Sequence, residues 1–392
     1  MSVSSMLARP VAGFLSAGVL LAALATVGQA QSRSAKYPMS RDSIVGRIAD
    51  LNRIHTPEGI EVVEPVDVNG STQWITIRGL NRANPILLFV HGGPGSAMLG
   101  MSWAYQKLWE DFFTVVNWDQ RGVGKNFAAA DTARLGPTMT DQQHVRDAEA
   151  IVRHVLARLG QRKLVIMGYS WGTAFTPRVV MEHPELFHAW VGVGVASRGG
   201  GGEAALYGRV LDLARRSNDT AGVRELEAMA PYPGPGPFDI RRALAVRKWV
   251  RRYDGGWYGK PDFDLYFSLN EWGAAYSMAD VAGADAGIGW AERRLTRTGA
   301  LDQGSGPVRF PVPVVFLMGR YDLHTPYPTA RAYFDRIEAP SKKFVTFERA
   351  SHMIPFEEPG RFLLTLVNDV LPLAGGAKDF EPQPDPIRRV RP

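Results

Sequence analysis

Ser170, Asp322 and His352 carry the side-chain types that can break an acyl bond together. A serine hydroxyl is a poor nucleophile until an imidazole takes its proton. A carboxylate is then needed to hold that imidazole in the right tautomer and to stabilise the imidazolium that forms. Ser170 stands in the run Gly168-Tyr169-Ser170-Trp171-Gly172, a G-x-S-x-G pattern. The short, mostly apolar stretch from Lys163 to Met167 predicts a buried strand before it, and the spacing from Ala174 to Met181 predicts a helix after it. Strand, tight turn and helix in that order hold a serine in a strained conformation, with glycines where side chains would collide with neighbouring elements. Asp322 follows the apolar run from Val312 to Met318, and His352 follows the short run from Phe344 to Phe347. All three residues therefore fall at carboxyl ends of predicted core strands, where open α/β sheets bind ligands.

Other residues compete for these roles. His324 is close to Asp322 in sequence, but a base must reach Ser170 from a separate loop, so His324 is read as a loop or pocket residue. Glu348 is a second possible acid, although it shares the loop of His352 itself. His91 is expected to shape a glycine loop by hydrogen bonding, and Asp119 and Arg121 to brace their own loop.

The elements that must position these groups alternate along the chain. Val62 to Val68 and Trp74 to Arg78 read as a hairpin joined through Asn69-Gly70, the antiparallel edge of a sheet. Pro85 to Val90 is an apolar strand ending on His91-Gly92-Gly93-Pro94-Gly95, and Phe113 to Trp118 ends on Asp119-Gln120-Arg121-Gly122-Val123-Gly124. Asp141 to Leu159 has helical spacing closed by Gly160, and Ala189 to Val195 is a further strand. The pattern predicts an α/β fold with a mostly parallel sheet. From Ser197 to about Pro307 the alternation stops, and helical pieces, glycines and many aromatics predict a mainly helical cap inserted into the core. The expected organisation is a leader at 1–30, core at 31–196, cap at 197–307, core again at 308–374, and a disordered tail at 375–392.

Composition narrows the function classes. The net charge of +6 is mild over 392 residues, and the basic clusters lack the interleaved aromatics of a nucleic-acid surface, so no nucleic-acid partner is expected. Zero cysteines exclude disulfides, thiolate nucleophiles and cysteine metal sites. No nucleotide, metal or flavin motif is present, so no cofactor is implied. Arg9, the apolar run from Val11 to Val27 and the small residues to Ala30 match an export signal cleaved near Ala30, which predicts a periplasmic or secreted protein with no membrane span after cleavage. An uncleaved anchor is the competing reading.

Three motifs in order, His91-Gly92-Gly93-Pro94-Gly95, Trp118-Asp119-Gln120-Arg121-Gly122-Val123-Gly124 and Gly168-Tyr169-Ser170-Trp171-Gly172, resemble the signatures of the proline iminopeptidase group of α/β-hydrolases. The order Ser, Asp, His is also that of this fold. The resemblance implies Ser170 as nucleophile, Asp322 as acid and His352 as base. It implies an oxyanion hole from the backbone N–H of Trp171 and of Gly93, preferred over Gly92. Lys125-Asn126 and Thr173 depart from the group's pattern. The group's cap glutamates, which hold a substrate's free amino terminus, have no clean match; Glu271 beside Trp272 is the nearest, followed by Glu203 and Glu225. The resemblance thus implies an aminopeptidase releasing N-terminal proline or another small residue from peptides. An esterase, lactonase or amidase acting on a hydrophobic small molecule, and a non-catalytic binding protein on the same fold, remain open, as does the oligomeric state.

Overall fold

The computed structural model describes residues 39–196, 201–234, 239–260, 266, 268–295 and 306–375. The expected leader, the glycine joint at 197–200, Phe267 and the tail from 376 onward lie outside the described residues. The chain divides into two units, Met1–Arg47 and Ile48–Pro392. The described residues of the first hold the start of a helix, Arg41–Asn52. The second contains the sheet and everything discussed below.

Eight strands form one sheet: β1 (Ile60–Val68), β2 (Ser71–Gly79), β3 (Ile86–Val90), β4 (Thr114–Asp119), β5 (Leu164–Tyr169), β6 (Phe187–Val193), β7 (Val314–Gly319) and β8 (Lys342–Phe347). Their spatial order is β1-β2-β4-β3-β5-β6-β7-β8. β1 with β2 and β2 with β4 are antiparallel, and every later pairing is parallel. The β1–β2 turn places Asn69 and Gly70 at φ of 47° and 75°, the left-handed region that this residue pair tolerates. β3 is flanked by β4 on one side and β5 on the other, so the chain changes direction across the sheet there, and a crevice opens outside the strand ends.

The central strands are apolar throughout because both faces are covered. In β5, Leu164 and Ile166 pack into one core cluster while Val165 and Met167 pack into the other. Helix α1 (Asp141–Leu159) lays Val145, Ala148, Ile151, Val152 and Val155 on the first cluster. Its ends are set by sequence: the Thr140 side chain accepts from the N–H of Gln143, and Gly160 closes it at φ 67°.

After the elbow, α2 (Thr176–Glu182) leads to β6. Between β6 and β7 the described residues include the helices α3 (Gly201–Arg216), α4 (Thr220–Glu227), α5 (Ile240–Arg252) and α6 (Met278–Arg294). Leu206, Val210, Leu226, Val246 and Val250 give α3 to α5 their own small core, which Leu323 from the loop after β7 completes. α6 docks on the loop after β4, where Lys125 Nζ lies 2.7 Å from Asp280 Oδ2. α7 (Tyr327–Asp335) and α8 (Pro359–Thr365) return the chain to the core. α8 runs directly into a π turn over Leu366–Val370.

Candidate active site

The elbow is a steric construction. Ser170 has φ 51°, a conformation that a non-glycine residue keeps only when its surroundings enforce it. A side chain on Gly172 would collide with the carbonyl oxygen of Val90, and one on Gly168 would come within 2.7 Å of Thr176 Oγ1. β3, β5 and the turn can approach this closely only through glycine. Thr173, one of the departures from the family pattern, donates its hydroxyl to the Ser170 carbonyl at 2.6 Å and accepts from the N–H of Ala196 at 2.9 Å. It ties the turn to the end of β6.

The glycine loop after β3 lies directly against the serine: a Cβ on Gly92 would stand 2.9 Å from Ser170 Cβ. Gly93 has φ 113°, which a side chain would oppose. His91 is buried beneath the loop, and Nε2 accepts from the N–H of Gln120 at 3.3 Å, so Nδ1 carries the proton and donates to the Gly92 carbonyl at 2.9 Å. Burial pushes the His91 imidazole down to about 4, so it stays neutral at ordinary pH. The neighbouring loop is braced from within. The buried Arg121 guanidinium donates to both Asp147 oxygens at 2.7 and 2.9 Å, and Asp119 accepts from the Lys125 N–H at 2.8 Å and from the Tyr276 hydroxyl. The two remaining departures serve the same joint: Lys125 pairs with Asp280, and the Asn126 amide donates to the carbonyls of Asp119 and Gln120 at 2.8 Å each.

Across the sheet, His352 Nδ1 lies 2.8 Å from Asp322 Oδ2, and both residues are buried. The contact fixes the Nδ1–H tautomer and leaves Nε2 with its lone pair. Thr325 saturates the carboxylate: its N–H reaches Oδ1 at 2.9 Å and its hydroxyl reaches Oδ2 at 2.7 Å. A segment of the insertion is bonded to both loops. The carbonyls of Asp254, Gly255 and Gly256 accept from Ser351 Oγ at 2.6 Å, Leu323 N–H at 3.0 Å and His352 N–H at 3.1 Å. Glu357 accepts from the N–H of Ser351 at 3.0 and 3.1 Å and from the N–H of Tyr258.

Ser170 and His352 line one cavity of about 320 Å³ together with Gly92, Gly93 and His324 on the core side and Glu203, Arg247, Arg251 and Glu292 from the insertion. Its size suits a small ligand. Leu244, Tyr266, Ile288 and Met353 add apolar wall. Among the described residues, no group of three or more His, Asp or Glu side chains is placed to hold a metal ion.

The residues singled out in the sequence fall unevenly on this cavity. Ser170, His352 and Gly93 line it, Asp322 stands behind His352, and Trp171 is buried beside the serine. Glu203 also lines it, but Arg247 holds its carboxylate with both terminal guanidinium nitrogens and the Tyr232 hydroxyl donates to it. Glu271 and Trp272 are not among its lining residues. Their turn, Leu269–Trp272, is fixed elsewhere: Trp103 Nε1 donates to the Leu269 carbonyl at 3.1 Å, and the Asn270 amide reaches the Ala97 carbonyl at 3.3 Å. Glu225 pairs with Lys248 at 2.7 Å on the surface, and Glu348 pairs with Arg320 rather than with the histidine of its own loop. Thr325, Glu292, Arg247 and the 254–258 segment were not read from the sequence. Only Thr325 had a signal there, since a hydroxyl three residues after an Asp is the spacing of a local side-chain turn.

A doubly bracketed serine turn and a buried Asp–His pair at the ends of a parallel sheet define a hydrolase. The chain belongs to the α/β-hydrolase fold family, whose pattern matches residues 85–359. It is 27% identical over 314 residues to a probable aminopeptidase, YbaC, of Bacillus subtilis (strain 168), covering 79% of this chain and 96% of that protein. A probable proline iminopeptidase of Streptomyces coelicolor is 27% identical over 243 residues, covering 55% of this chain and 72% of that protein. Among solved structures, the proline iminopeptidase of Mycobacterium smegmatis superposes with a TM-score of 0.55 at 17% identity, covering 81% of this chain and all (100%) of that one, a likeness of fold.

Proposed function

We propose that this hydrolase is a serine aminopeptidase that releases an N-terminal proline or another small residue from peptides through an acyl-enzyme. The observation that carries the reading is the 2.8 Å Asp322–His352 contact beside a cavity that Ser170 also lines. In the first step His352 Nε2 takes the Ser170 proton as Oγ attacks the scissile carbonyl. The oxyanion that forms meets the N–H groups of Trp171 and Gly93, donors whose individual loss typically costs about 10²–10³ in rate. The imidazolium then gives its proton to the leaving amine. Water, deprotonated by the same imidazole, frees the residue from Ser170.

The substrate ammonium needs a carboxylate, because an unpaired buried charge is strongly disfavoured. Glu203 is held by Arg247. Glu292, which lines the cavity from α6 together with Ser170 and His352, is the carboxylate assigned to this task. The engagement of Glu203 also favours a second reading, an esterase or amidase with no demand for a free amine. A panel of free and N-blocked aminoacyl aryl amides alongside short-chain esters, run on wild type, Ser170→Ala and Glu292→Gln, separates them. Cleavage of free aminoacyl amides that collapses in Glu292→Gln supports the aminopeptidase, whereas ester cleavage indifferent to a free amine sinks it.

Export of the chain with removal of residues 1–30 is part of the proposal. It rests on the sequence of that stretch, and N-terminal sequencing of protein from the periplasm and medium tests it. Among the described residues no helix is long and apolar enough to cross a membrane.

A further inference from the structure

Building on the reading of His352 as the base, we propose that His324 is a positioning residue, a planar ring that holds the His352 imidazole in its working plane. Two aromatic rings pack against His352, that of His324 in a tilted arrangement. Tyr169 stands at a centroid distance of 5.2 Å and an interplanar angle of 30°, and His324 at 5.0 Å and 32°. Tyr169 is pinned from the far end, its hydroxyl donating to the His352 carbonyl at 2.9 Å. The ring edge is confined as well, since a Cβ on Gly194 would come within 2.9 Å of His352 Cε1. The Asp322 contact fixes one nitrogen but leaves rotation about the axis through it. Stacking removes that freedom, and an imidazole that swings off plane points its lone pair away from Ser170.

Both rings line the cavity, and His324 stands on its wall beside Ser170 and His352. Its surroundings keep it uncharged. Burial, His352 and the guanidinium groups of Arg247 and Arg251 hold its imidazole well below the ordinary range. Glu203, a carboxylate of the same cavity, offsets this little, because Arg247 engages it. A cation at this position would oppose the imidazolium that forms on His352 in the transition state, whereas a neutral ring does not. The sequence alone places His324 near the acid and says nothing of which ring it meets.

Three variants test the assignment, each measured for kcat and KM on the best substrate of the panel and for thermal unfolding. His324→Phe keeps a neutral ring, His324→Asn keeps a polar donor without a ring, and His324→Ala removes both. The expected result is a loss in kcat of about ten- to a hundredfold for Ala and Asn, little change in KM, and recovery to within a few-fold by Phe. Recovery by Asn but not by Phe would mean that a hydrogen bond, not stacking, is at work, and would overturn the proposal. So would a rise in KM at unchanged kcat, which marks a substrate-wall residue. Ser170→Ala and His352→Ala run beside them separate this from the underlying reading: if either keeps full activity, the triad itself is wrong, whatever His324 does.

Discussion

The serine turn and the acid–base pair are held in place by different parts of the chain. Ser170 is constrained from inside the core, by β3, β5 and glycines whose replacement would drive a side chain into the Val90 carbonyl or Thr176. The loops of Asp322 and His352 are constrained from outside it, by three consecutive carbonyls of the insertion, those of Asp254, Gly255 and Gly256. The first constraint is inseparable from folding the sheet. The second can be loosened while the sheet stands, so the two halves of the site should fail in different ways.

The largest effects are expected at the groups proposed to react. Ser170→Ala and Asp322→Asn should each lower kcat by about 10⁴-fold or more, the second because Asn favours the wrong tautomer of the histidine. Both should unfold within a few degrees of wild type, and a serine-directed fluorophosphonate should label the wild type but not Ser170→Ala. Retained activity in either variant would end the comparison, since there would be no two halves to compare.

Gly172→Ala and Gly255→Ala sharpen it. At Gly172 the added methyl would strike the backbone of β3, so loss of soluble protein or a large drop in Tm is expected, with a cost of several kcal/mol. At Gly255 the methyl would come within 2.5 Å of the Leu323 side chain, next to the acid. There a loss of about ten- to a hundredfold in kcat is expected with a modest change in Tm. Equal damage to Tm from both variants would show that the 254–258 segment is as integral to folding as the elbow.

The same contrast explains what the sequence could reveal. The elbow, the glycine loop and the buried strands are dictated by neighbours close in sequence or by periodicity, so Gly168, Ser170, Gly172 and the apolar run of β5 were legible one at a time. The order of Ser170, Asp322 and His352 at the ends of β5, β7 and β8 was legible for the same reason. The insertion was not. Whether a glutamate in the cavity is available depends on which cation reaches it: Arg247 and Glu203 are 44 residues apart, too far for any local pattern to join them. Glu271 beside Trp272 was the nearest match to the cap glutamates that the resemblance implies, yet Trp103 and Ala97 hold that turn elsewhere. Gly255-Gly256 carried no periodic or motif signal, although it bears the carbonyls that fix both loops.

The smallest predicted effect lies at Glu357, whose carboxylate joins Tyr258 of the insertion to Ser351 of the histidine loop. Burial pushes its carboxyl from 4.5 up to about 7, against the pull of the Ser351 and Tyr258 N–H groups. The folded protein therefore holds this proton more tightly than the unfolded chain does. Its contribution to stability is full below about 4.5 and is lost as the pH rises through about 7. Glu357→Gln keeps an oxygen to accept the same N–H groups and removes the titration. Its Tm should fall less steeply than that of wild type between pH 4.5 and 7, as followed by calorimetry. The carboxyl of Asp119, also pushed up to about 7 by burial, adds a slope of the same sign to both proteins, so the difference between the two curves isolates Glu357. Parallel curves would mean that the carboxyl does not titrate in this range, and that the insertion is fastened to the histidine loop by its three carbonyls, independently of pH.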